Sequence, residues 1–178
     1  MLSQDERTTM KTYVRKIFIF FIVLFIVRLF IFVPLKVDGE SMKPTLQNGD
    51  LVLINKFNKP ERFSIVIAQL PSGEKIVKRV IGLPGETVQY KNNQLFINNE
   101  ATDEDFLHNG KKDIYTEDYA LKGKVPDEHL FVLGDNRQFS TDSRELGAIP
   151  IDSVVGCIEA RYWSLNKVSI SIGKDNFK

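Results

Sequence analysis

Apolar positions along the chain follow two regimes. From Ile17 to Val33 the sequence reads IFIFFIVLFIVRLFIFV, and Arg28 is its one polar residue. No polar stripe recurs in it at helical spacing, so it does not read as the buried face of an amphipathic helix. Beyond Leu35 the apolar residues come in short runs rich in valine, isoleucine and phenylalanine, each closed by turn residues. DLVLI follows the turn QNGD. SIVIAQL stops at Pro71, Ser72 and Gly73, and EKIVKRVIGL stops at Pro84 and Gly85. TVQY and QLFI flank KNN and predict a hairpin; HLFVLGD, SVVGCIEARYW and KVSISI follow. Such runs predict strands. Residues 98–125 are polar, charged and poorly patterned, which predicts a surface excursion or mobile loop. The expected fold is mostly β, an antiparallel β-sheet domain behind one N-terminal transmembrane helix.

A spanning helix needs about 20 mostly apolar residues. Val14 and Leu35 extend the run to nearly that. A cleaved leader needs small residues before its cut site, and the run contains no Ala, Gly or Ser. It reads as an uncleaved signal anchor. Arg7, Lys11, Arg15 and Lys16 precede it, and Lys36 and Lys43 follow. The positive-inside rule then places the N-terminus in the cytoplasm. The expected organisation is a cytoplasmic segment at 1–16, a transmembrane anchor at 17–34 and one extracytoplasmic domain at 35–178. Arg28 falls near the outer end, where its side chain can snorkel to the headgroups.

Composition narrows the function. The 178 residues suffice for one domain with a core, and a net charge of +1 leaves no broad basic field for nucleic acid. Cys157 is the single cysteine and lies in an apolar strand, so no internal disulfide forms and a buried small hydrophobe is expected. Two histidines and one cysteine, far apart, argue against a metal site.

The chemistry starts at VDGESMKPTL, residues 37–46, just past the anchor. Ser41 there is either part of a plain turn or a nucleophile held near the bilayer. A serine hydroxyl needs a base to take its proton. His108 and His129 have no telling context, although a Ser-His-Asp arrangement stays open. A lysine serves only if burial lowers it enough to leave a neutral amine. Lys78 fits that demand. In KIVKRVI, Ile76, Lys78 and Val80 share one face of a strand, while Val77, Arg79 and Ile81 share the other. On its own, Lys78 reads better as an exposed edge-strand lysine. A third stretch, GDNRQFSTDSRELG at 134–147, is dense in polar groups. It is either a solvated loop or a rigid hydrogen-bonded scaffold beside a site. Two S-x-x-K matches, Ser72 to Lys75 and Ser164 to Lys167, lack the companion motifs of penicillin-binding enzymes and read as connections.

Together, the anchor, SMKPTL, KRVIGLPGE and GDNRQFSTDSR resemble the type I signal peptidases (leader peptidases), in the compact single-anchor form common in Gram-positive bacteria. The resemblance spans nearly the whole chain. It implies Ser41 as nucleophile and Lys78 as general base. It also implies that Ser140 orients the Lys78 amine, that Asp142 pairs with Arg144, and that Arg79 is structural. The Ser41 N–H would help form the oxyanion hole, and Met42, Ile76 and Val77 would line shallow substrate pockets. The implied substrates are preproteins cut after small residues at A-x-A-like sites, met at the lipid bilayer beside the secretion translocon, with no cofactor and no metal. There are departures. Gly39 stands where some members carry a serine, the usual GDIVVF strand appears as RFSIVIAQL, and Gln138 and Phe139 replace a more polar pair. Two other readings stay open: a self-cleaving repressor relative using the same Ser/Lys scheme, which the anchor opposes, and a catalytically silent, membrane-tethered receptor for exported chains.

Overall fold

The structure is a computed structural model and describes residues 4–107 and 114–162. Two units divide the chain, Met1–Val33 and Pro34–Lys178. The first is built on helix α1 (Gln4–Ile31). Its apolar side chains from Ile17 to Phe25 are exposed. Among the described residues no helix is long and apolar enough to cross a membrane. The side chains described on α1 end at Phe25, part-way along the apolar run. The expected anchor covers 17–34. The helix also ends earlier than that range, at Ile31. Pro34 explains the stop: it lacks an N–H and disfavours helical backbone in the residue before it.

The second unit is made of strands. They are β1 (Phe32–Lys36), which begins at the boundary, β2 (Leu51–Asn55), β3 (Ile65–Gln69), β4 (Lys75–Gly82), β5 (Val88–Lys91) and β6 (Gln94–Ile97). Then come β7 (Glu100–Thr102), β8 (Tyr119–Ala120), β9 (His129–Leu133), the one-turn helix α2 (Ser143–Leu146), β10 (Ile149–Pro150) and β11 (Val154–Tyr162). A seven-stranded sheet runs β1-β2-β11-β3-β4-β9-β10, and a four-stranded sheet runs β7-β6-β5-β8. Pairings from β2 through β10 in the large sheet are antiparallel, as are those of the small sheet. The mostly β, antiparallel expectation therefore holds.

Alternation builds the core. Along β3, Ile65 and Ile67 enter one apolar cluster with Val37, Met42 and Leu46, while Val66 and Ala68 enter another with Ile76 and Val80. A strand buried on both faces reads as a continuous apolar run, which SIVIAQL is. The KNN hairpin forms between β5 and β6. Asn92 and Asn93 both take positive φ, 52° and 65°, as a tight two-residue turn requires.

Residues 98–125 depart from the expected excursion. Segment 108–113 lies outside the described residues, and His108 with it. On either side of it the chain is folded inward. Phe106, Leu107 and Val125 join the core under the small sheet, and Glu104 and Thr116 are buried polar groups. Polar composition concealed this, because these two side chains are buried against partners distant in sequence.

Candidate active site

Ser41 opens a turn that leaves β1 and returns to β2. Gly39, two residues earlier, adopts φ +100°, a conformation that L side chains rarely take. Lys78 comes from the middle of β4. Its Nζ donates to Ser41 Oγ at 2.8 Å. Lys78 is only 5% exposed. Val66 pairs with it across the strands, and Ile76 and Val80 flank it on the same face. This wall of aliphatic side chains explains the electrostatics. Burial lowers the Lys78 amine below the usual lysine value; Asp142 and Glu74 draw it back up, Arg144 pushes it down, and Asp135 draws it up. Among the described residues no carboxylate reaches ion-pair distance of Nζ. The amine thus faces a neutral hydroxyl beside an aliphatic wall.

The loop after β9 supplies the seat. Register sets Leu133 opposite Arg79, so the next residue, Gly134, comes level with Lys78. A Cβ at Gly134 would collide with Ser140 Oγ and come within 2.5 Å of the Ser41 carbonyl oxygen. Only glycine fits there. Asn136 then grips the Ser41 turn twice. Its backbone N–H donates to Ser41 O at 2.9 Å, and its side-chain amide donates to Glu40 O at 3.1 Å. Two ion pairs, one buried and one part-buried, hold the loop. Arg79 clasps Asp135 through Nε at 2.8 Å and NH2 at 2.6 Å. Arg144 clasps Asp142 with two bonds of 2.9 Å, and Asp142 Oδ2 accepts the Gly134 N–H at 3.1 Å.

The family model described as signal peptidase, peptidase S26, matches residues 10–163. The chain belongs to the S26 signal peptidase family. Signal peptidase I P of Bacillus subtilis subsp. natto is 40% identical over 179 aligned residues, covering 93% of this chain and 96% of that protein. Signal peptidase I of Bacillus caldolyticus is 41% identical over 149, covering 76% and 82%. The crystal structure of a signal peptidase I from Enterococcus faecalis V583 superposes with a TM-score of 0.51 at 38% identity, over 56% of this chain and 97% of that one. Family membership makes the chain a peptidase.

The signal peptidase motifs expected from sequence converge on this site with some differences. Ser41, Lys78, Arg79, Asp142 and Arg144 all meet here. Ser140 is buried and packs against Gly134, but its Oγ has no hydrogen-bond partner among the described residues, Lys78 included. Met42 is 2% exposed and belongs to the core beside Leu46 and Ile54, and Ile76 packs in the cluster with Val80. Of the three residues expected to line pockets, Val77 keeps the most surface. His129 engages the Asp127 carbonyl at 2.8 Å and does not contact Ser41. Ser72 lies in the β3–β4 connection and Lys75 opens β4, while Ser164 and Lys167 fall outside the described residues. Among those described, no group of His, Cys, Asp or Glu could hold a metal. In the sequence Gly134, Asp135 and Asn136 have only a collective reading, within the polar stretch 134–147, and no individual role. The available signal was a glycine directly after the apolar strand HLFVL, where a close backbone approach is a standard reason for its presence.

Proposed function

We propose that this S26 peptidase removes signal peptides from exported preproteins with Ser41 as nucleophile and Lys78 as general base. The observation that carries the reading is the 2.8 Å contact from Lys78 Nζ to Ser41 Oγ on a lysine only 5% exposed. Burial lowers this amine below the usual lysine value, the direction a general base needs. Neutral Lys78 takes the Ser41 proton as Oγ attacks the scissile carbonyl. A tetrahedral oxyanion forms, and the Ser41 N–H, which has no acceptor among the described residues, donates to it. One such donor contributes about 2.7–4 kcal/mol to the transition state. Lysine then returns the proton to the leaving amine, and the mature protein departs. Water, deprotonated by the same amine, attacks the acyl-enzyme and frees the signal peptide.

Of the three residues expected to line pockets, Val77 offers the apolar surface that favours small side chains at an A-x-A-like site, while Met42 and Ile76 back it from separate core clusters. The run at 17–34 anchors the enzyme in the bilayer, its N-terminus cytoplasmic and the domain from 35 onward extracytoplasmic. Signal peptides are themselves apolar segments held in the membrane. A shared bilayer beside the translocon raises the effective concentration of enzyme and cut site without any new contact.

Full-length protein in detergent, incubated with a preprotein carrying an Ala-x-Ala site, tests this by mass spectrometry of the products. Wild type should cut after the second alanine and Lys78→Ala should not. Equal cutting by both would remove Lys78 from the mechanism. Binding without cutting by either would make the chain a silent receptor.

A further inference from the structure

Arg137 follows the seat glycine by three residues, yet its guanidinium leaves the large sheet. It is 2% exposed. NH2 donates to Glu104 Oε1 at 2.6 Å, and NH1 reaches Glu104 Oε2 at 3.2 Å, Thr116 Oγ1 at 2.9 Å and the Tyr90 hydroxyl at 3.0 Å. Tyr90 in turn donates to Glu104 Oε1 at 2.8 Å. Burial holds the tyrosine well above its ordinary pKa, so it keeps the proton it donates. All three partners come from β5 or from the segment after β7, on the side of the small sheet. The remaining donor, Nε, bonds the Gly134 carbonyl at 3.1 Å. Arg144 closes the loop by donating to the Arg137 carbonyl at 2.6 Å.

The Gly134 peptide is therefore pinned at both ends. Its N–H goes to Asp142 within the same loop, and its C=O goes to Arg137, which is set by the small sheet. Bulk stability does not call for this device, since buried ion pairs can often be replaced by apolar side chains without loss. Its geometric effect is specific, because the guanidinium fork fixes direction as well as charge. We propose that Glu104 is a positioning residue for Ser41: acting through Arg137, it fixes the Gly134 carbonyl and so holds the seat of the nucleophile turn. The small sheet thereby sets the alignment of Ser41 with Lys78. This rests on the dyad reading above.

The test uses full-length protein in detergent and a peptide carrying an Ala-x-Ala site. Values of kcat and KM are measured for wild type, Lys78→Ala, Glu104→Gln, Arg137→Lys, Tyr90→Phe and Thr116→Val. Each is normalised to folded protein well below its melting temperature. Tyr90→Phe and Thr116→Val, which remove one neutral partner each, should lower kcat by about three- to tenfold with KM unchanged. Glu104→Gln should cost more, and adding Tyr90→Phe to it should change little further, because both act along one path. Should Glu104→Gln fail to fold, the two milder variants still decide. If they lower the melting temperature but leave kcat per folded molecule at the wild-type value, the network is purely structural and the proposal is wrong. Equal cutting by wild type and Lys78→Ala would be a different failure, that of the dyad, and would take this proposal with it.

Discussion

Strand β4 carries two cations side by side, and its two faces treat them in opposite ways. Arg79 is 3% exposed and fully partnered, with Asp135 on its fork, the Phe63 carbonyl at 2.9 Å and the Phe106 ring 3.9 Å beneath it. Lys78 is buried almost as deeply, but it meets aliphatic walls and one neutral hydroxyl. An arginine cannot shed its proton in a protein, so its burial must be compensated by a carboxylate. A lysine can shed its proton, and leaving it without a carboxylate promotes that. The same strand thus makes one cation a permanent brace and the other a candidate base.

The strongest way to break this contrast is at Lys78. Lys78→Met should lower peptide cleavage by about 10²–10⁴-fold, the range for a general base, measured as kcat/KM on an Ala-x-Ala peptide. Its stability should not fall, since an apolar side chain of similar length replaces a buried amine. Next in size is the brace. Asp135→Asn leaves Arg79 buried without its counter-charge and should destabilise the fold by about 3–5 kcal/mol, read from denaturant unfolding. A loss of stability at Lys78→Met and none at Asp135→Asn would invert the comparison. Smaller again is the seat. Gly134→Ala forces a methyl against Ser140 Oγ and the Ser41 carbonyl. It should destabilise by about 1–3 kcal/mol and lower kcat in the folded fraction, which thermal melts and kinetics together would separate.

The pH dependence sharpens the contrast most gently. Burial lowers the folded-state value of Lys78 below its ordinary 10.5. Between those two values the unfolded chain binds more protons than the folded one, so this residue makes stability rise with pH across that window. Below the folded value both states are charged and the burial penalty is fully expressed. Activity follows the same group, falling as pH drops through the folded value. The difference in unfolding free energy between wild type and Lys78→Met should carry this rising slope across that window, because slopes from other groups are common to both.

Much of this was legible before the fold was known. Period-two alternation in KIVKRVI separates Lys78 from Arg79, and the pairing of Val66 with Lys78 supplies the apolar wall that the pattern implied. Position after an apolar run singled out Ser41. The supporting frame was less legible. Glu104 and Thr116 lie in a polar stretch with no periodicity, and only the pairing of the small sheet brings them to Arg137. Met42 adjoins Ser41 in sequence, but the turn points it into the core with Leu46 and Ile54. Local pattern records which face a residue takes, whereas contacts across many residues depend on topology.

The central claim is that Lys78 is a buried amine able to act as a base on Ser41. Heteronuclear NMR of protein labelled at the lysine ε-carbons, with the Lys78 signal assigned by its loss in Lys78→Met, would titrate that amine directly. The account predicts a midpoint below 10.5 that coincides with the acid limb of the cleavage pH profile. A midpoint at the ordinary lysine value, or an acid limb unrelated to it, would contradict it.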